Sequence, residues 1–175
     1  MNNARAPCIA LFLPQVEIDE YRDYEKAFSA LKEALKYMIK ARVPDKEERM
    51  ATLQQRIFLV EKFVHARKLV KQDPEQMIKL CHSLLDTPDV ESGIRVGDVY
   101  ALMVEYHHSQ NEMSQAYTLI QRMRDAKIIL SPYLDREMIE SIFRAVGLDP
   151  VADEELGEDI EEDDGIGEEI GVDDD

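Results

Sequence analysis

Residues 23–42 read DYEKAFSALKEALKYMIKAR. Ala27, Ala30, Leu31, Ala34, Leu35, Met38 and Ile39 recur within this stretch at steps of three and four, which lays one continuous apolar stripe along a helix. Val43-Pro44 closes it, because a proline pushes the residue before it out of the helical region. Asp45 then opens a second helix with Glu48 three residues on, the spacing of a capping box.

The same period continues down the chain. The second helix is expected to run to about Val70, with Leu53, Ile57, Val60 and Val64 as its main stripe. Phe58, Phe63 and Ala66 widen that stripe, so two packing neighbours are expected. Asp73-Pro74 starts a third helix, a cap followed by proline at the first helical position. It carries Met77, Ile78, Cys81, Leu84 and Leu85 and stops before Thr87-Pro88. A fourth, about Ile94 to Ser109, sets Val96, Val99, Tyr100, Met103, Val104 and His107 in register. Asn111 can cap a fifth, which carries Met113, Ala116, Tyr117, Ile120 and Met123. After a connection over residues 126–134, Asp135 can cap a sixth helix bearing Met138, Ile139, Ile142, Phe143 and Val146, with Gly147 as its stop. No segment alternates at period two for long enough to make a strand. The fold class is all-α.

Charge divides the chain in two. Of 37 acids and 21 bases, 14 acids and no Lys or Arg fall from Val151 to Asp175, which leaves 23 acids and 21 bases before them. A nearly neutral body of one domain's size is therefore followed by an acidic tail. Self-repulsion and sparse apolar surface should leave that tail disordered when free. The expected boundaries are an irregular segment over 1–15, a helical domain over 16–148 and the tail over 149–175.

Composition removes whole classes of function. No apolar run approaches the ~20 residues of a membrane helix. The run Cys8 to Leu13, set between Pro7 and Pro14, is too short for a signal peptide's apolar stretch. Cys8 and Cys81 form no disulfide framework and read as reduced thiols. The tail would repel phosphates, and the body has no concentrated basic patch of the kind nucleic acid requires.

The helix pairs fit the 34-residue tetratricopeptide template. On the fourth and fifth helices it places Tyr100 at its Trp position, Met103 at its Leu position and Ala116 at the first alanine of its second helix, with Ile120 and Met123 following. Val104 stands where a small residue is usual, and Asn111 where the turn commonly has Gly. Tyr24, Ala27, Leu31 and Ala34 match second-helix positions of the same template, so a partner helix would belong before Val16. The expected architecture is a solenoid fragment of antiparallel helix pairs, open on its N-terminal side.

Catalytic, cofactor and metal residues are all expected to be absent. Cys81-His82 and His107-His108 are tandem pairs, and neighbours on a helix point about 100° apart, so they converge poorly on one ion. Cys81 and His107 are expected on apolar faces, with His65, His82 and His108 at edges or in solvent. The glycines of Gly165-Ile166-Gly167-Glu168-Glu169-Ile170-Gly171 miss the dinucleotide spacing and stand among carboxylates that would repel a pyrophosphate. A calcium loop begun at Asp159 would put Asp164 at the glycine place and Ile170 at the bidentate glutamate place. Tyr100, Tyr106 and Tyr117 suit core packing better than a peptide-anchoring set, since two of them fall on template positions.

Certain strings are more specific than the period. Val16-Glu17-Ile18-Asp19-Glu20-Tyr21, Tyr24-Glu25-Lys26-Ala27, Ile94-Arg95-Val96-Gly97-Asp98-Val99-Tyr100, Val104-Glu105-Tyr106 and Gly147-Leu148 resemble the C-terminal region of the intraflagellar transport protein 140 family, as does the acidic tail. The resemblance covers about Gln15 to Asp175. It implies the far end of a tetratricopeptide-like solenoid, without the family's N-terminal propellers. It further implies a non-catalytic scaffold that supports assembly of the intraflagellar transport A complex for retrograde transport and cilium assembly, in the cytoplasm and cilium. The implied partners are other subunits of that complex, met through helical faces, with no nucleic acid, no direct membrane insertion and no cofactor. The alternative is a free-standing adaptor whose acidic tail recruits basic partners, against a tail that only keeps the solenoid end soluble.

Overall fold

A computed structural model describes residues 22–149. Six α-helices occur in them: α1 (Tyr24–Lys40), α2 (Lys46–Leu69), α3 (Pro74–Leu85), α4 (Val96–Ser109), α5 (Met113–Asp125) and α6 (Arg136–Ala145). A 3-10 turn, Val90–Ser92, lies between α3 and α4, and no strand is found among the described residues. Each helix stands where its apolar period placed it. The substantial contacts join helices adjacent in sequence, α1 on α2 and so on to α5 on α6. Such nearest-neighbour stacking defines a solenoid fragment of helix pairs. The segment 1–15 and the tail from Pro150 fall outside the described residues.

The template positions are well filled. Met103, Val104, Ala116, Ile120 and Met123 are fully buried, and Tyr100 and Tyr117 pack against the core while partly exposed. The Tyr117 ring meets Phe143 of α6 edge-on, with centroids 5.3 Å apart, so the tyrosines serve packing. On α1, Tyr24, Ala27, Leu31, Ala34 and Met38 are buried. Ile39, expected on that stripe, is instead 54% exposed, because it stands about 100° round the helix from the buried Met38. On α2, Phe63 and Ala66 are buried as expected. Phe58 is 45% exposed, and Lys62 Nζ stands 4.5 Å from the centre of its ring. Leu59 takes the inward place, covered by the loop after α3, where a Cβ on Gly93 would stand 3.1 Å from it.

Capping follows the sequence in part. The side chains of Asp23 and Asp73 accept from the backbone N–H of Lys26 and Gln76, each at 3.0 Å. Asp45 makes no such bond: it sits in the left-handed region (φ 55°), whereas a capping side chain needs extended backbone. Asn111 likewise does not cap α5. It takes a left-handed φ of 60° after α4, and Glu112 stands at the N-cap instead. Glu112 N–H reaches His107 C=O and Asn111 N–H reaches His108 C=O, a Schellman closure at the template's glycine place. Gly147 closes α6 in the same way at φ 79°. Asp135 precedes α6 in extended backbone without a side-chain cap bond.

Candidate functional site

Asp98 enters the first turn of α4 three residues after the N-cap, Arg95, where an acid suits the positive end of the helix dipole. Its side chain does not fold back to cap the helix. It points into the body, 3% exposed, and takes partners from elsewhere in the chain. Tyr24, at the start of α1, donates its hydroxyl proton to Asp98 Oδ2. The same hydroxyl accepts the backbone N–H of Arg95 at 3.3 Å, so one phenol satisfies both the carboxylate and the opening of α4. Arg22 Nη2 forms an ion pair with Asp98 Oδ1 at 2.5 Å, off hydrogen-bond alignment.

The connection between α5 and α6 closes the clasp. Arg22 Nη1 donates to Pro132 C=O at 3.2 Å. Arg95 donates through Nε and Nη2 to the Tyr133 hydroxyl at 3.2 and 3.0 Å. The Tyr133 ring lies against Gly97, where an added Cβ would meet Cζ at 2.3 Å. Three neighbouring residues thus contribute differently. Arg95 supplies a donor pair, Gly97 a bare backbone surface and Asp98 a buried acceptor. Tyr24 also meets Phe63 of α2 edge-on at 4.7 Å.

A groove of ≈ 380 Å³ opens beside the clasp and is further lined by Arg67, Ala101, Leu102 and Glu105. Arg67 is held in an ion pair with Glu25 at 3.0 Å. Desolvation at this wall raises the Glu105 carboxyl above its usual range, against the lowering pull of Arg22. Burial, followed by the charge of Asp98, pushes the Tyr24 hydroxyl far above the phenol range. With its oxygens taken by Tyr24 and Arg22, Asp98 works as a structural acceptor and not as a base waiting for substrate.

The histidine and cysteine pairs stay apart. Cys81 is fully buried with Sγ 3.7 Å from Met77 Sδ, and burial pushes its thiol up to about 12. His82 and His65 are exposed. His107 Nδ1 lies 2.6 Å from Glu112, and His108 Nε2 lies 2.8 Å from Ser141 Oγ on α6. Among the described residues no three His, Cys, Asp or Glu side chains gather to hold a metal ion. Cys8 falls outside those residues.

Residue periodicity did not point to the clasp. The available signals were an acid between Val96 and Val99 in an otherwise apolar first turn, a glycine inside a helix, and a tyrosine heading the α1 stripe. Nothing local ties them to Pro132 and Tyr133, some 35 residues on.

A stack of short helix pairs, in which each helix packs on its neighbours in sequence, is an architecture of the tetratricopeptide type. Over residues 12–124 the chain matches the C-terminal tetratricopeptide domain of the intraflagellar transport protein 140 family, and it belongs to that family. Arg22, Tyr24, Arg95, Gly97 and Asp98 lie inside the matched stretch, whereas Pro132, Tyr133 and α6 lie beyond it.

The close fit of Tyr133 on Gly97 makes a substitution there informative. Gly97→Ala should destabilise the protein by roughly 1–3 kcal/mol through collision with Tyr133, although helix propensity alone favours Ala by ~1 kcal/mol. The sign of the shift in a denaturant midpoint decides between the two. A second expectation concerns alkaline pH. Folding holds the Cys81 thiol and the Tyr24 phenol protonated where the unfolded chain, with ordinary values of about 8.5 and 10, would release them. The native state then binds more protons, so stability is fully present below about pH 8.5 and falls as pH rises through 12 for Cys81, with Tyr24 adding to the loss above about 10. Thermal midpoints should decline steadily from pH 9, and Cys81→Ala should flatten the first part of that decline. A midpoint constant to pH 11 would contradict the burial of both groups.

Proposed function

We propose that this chain is a non-catalytic scaffold segment of an intraflagellar transport A subunit, supporting complex assembly for retrograde ciliary transport and cilium assembly. The observation that carries this reading is the family match over residues 12–124. The nearest-neighbour helix stack supports it, because such stacks grow by adding helices at their ends and bind along their faces. Its working surfaces would be helical faces that bury apolar side chains against other subunits of the complex, with Tyr37 and Ile39 already exposed for that use. On this reading the helical domain, 16–148, carries assembly and the segment 149–175 is an accessory. The protein would reside in the cytoplasm and the cilium, at the axoneme and basal body.

A second reading rests on charge. The 14 acids from Val151 to Asp175 suit a free-standing adaptor that recruits basic partners with strong salt dependence. Affinity capture of the tagged chain from ciliated-cell extract, with and without residues 151–175, separates the two. The scaffold reading expects intraflagellar transport A subunits with both forms. Capture of basic proteins by the full chain alone would favour the adaptor, and recovery of no transport subunit by either form would sink the scaffold reading.

A further inference from the structure

The outward face of α1 carries an unusual charge pattern. Lys32, Lys36 and Lys40 follow one another at i, i+4 and i+8, all exposed and on the side away from the buried Leu31, Ala34 and Met38. Like charges at this spacing destabilise a helix, and here two such pairs run in series. Lys40 in the last turn is favoured by the helix dipole, but Lys32 and Lys36 lie too far from the end to gain from it. No carboxylate among the described residues lies within ion-pair distance of the three ammonium groups; Lys32 Nζ instead rests 4.8 Å from the centre of the Phe28 ring. Arg42 and Lys46 extend the basic surface beyond the helix, against only Glu33 and Asp45 between residues 32 and 46. Ile39 and Tyr37, 54% and 58% exposed, flank the lysine row on either shoulder.

We propose that the acidic segment Val151–Asp175 of this same chain docks on the α1 lysine row, covering it in cis. Charge complementarity selects this occupant: the segment supplies 14 carboxylates without a single base, and the body it must find is otherwise close to neutral. Its composition fits the shoulders as well as the row, since Leu156, Ile160, Ile166 and Ile170 are interspersed among the acids and can meet Ile39 and Tyr37. The tether also reaches. Arg22, two residues before α1, bonds to Pro132, four residues before α6, so the connection into the last helix passes the start of the first. From Asp149 a 26-residue extension spans up to about 85 Å when fully extended, several times the 17-residue length of α1, which is about 25 Å. Attraction between exposed charges is screened by salt, so the docked form is favoured at low ionic strength and released as salt or a more acidic competitor rises.

The proposal is tested by carbodiimide cross-linking of the full-length chain, prepared as an equal mixture of unlabelled and 15N-labelled protein and read by peptide mass spectrometry. Carbodiimide joins only carboxylates and amines already in contact. The expected result is that links from residues 151–175 fall on Lys32, Lys36 and Lys40 at least threefold more often than on the exposed Lys68, Lys71 or Lys79, join peptides of the same isotope, and fall severalfold between 50 and 500 mM salt. Links spread evenly over exposed lysines would overturn the proposal. So would mixed-isotope links at the α1 row, which would assign it to a second copy of the chain. As an independent readout, amide exchange over residues 32–40 should quicken when residues 151–175 are deleted; unchanged exchange counts against docking.

Discussion

Asp98 is the one charged side chain buried among the described residues, and its burial dictates how the ends of the fragment meet. A carboxylate out of water needs its lone pairs occupied, at a cost of several kcal/mol if they are not. Tyr24, at the start of α1, hydrogen-bonds one oxygen, and Arg22, just before α1, balances the charge of the other by ion pairing, while Arg95 and Gly97, just ahead of Asp98 in the chain, fix Tyr133. Successive helices in a solenoid touch only their neighbours, so the stack by itself is free to twist. The clasp joins α1 to α4 and α4 to the connection before α6, contacts that the nearest-neighbour rule does not provide.

The same arrangement accounts for where surface chemistry is found. Closing the polar clasp on the inner side of α1 turns Lys32, Lys36 and Lys40 outward as a row, with Tyr37 and Ile39 beside it. A scaffold needs faces of this kind, rich in long side chains and short of internal partners. The Cys81 thiol is held neutral in the core, and the histidines at the end of α4 bond to Glu112 and Ser141.

How much of this could be read from the sequence depended on how local each feature was. All six helices were legible, because each needs only its own apolar period and breakers such as Val43-Pro44, Asp73-Pro74 and Gly147. The tetratricopeptide positions were legible for the same reason, and so was the family, from strings such as Arg95-Val96-Gly97-Asp98. Features that depend on a partner far along the chain were not. Leu59 is buried by a loop, Phe58 is exposed in its place, and Asp45 and Asn111 adopt left-handed turns instead of capping. Asp98 sits inside one of the family strings, yet its role depends on Tyr24, 74 residues earlier, and on the connection carrying Tyr133.

The claim that this clasp organises the fragment is tested most directly by a double-mutant cycle in denaturant unfolding, with Tyr24→Phe, Asp98→Asn and the pair. A hydrogen bond to a buried carboxylate should give a coupling energy of about 1–3 kcal/mol, with the double variant much less destabilised than the sum of the singles. Effects that add to within about 0.5 kcal/mol would show that Tyr24 and Asp98 stabilise the protein independently, and the clasp would not be what holds α1 to α4.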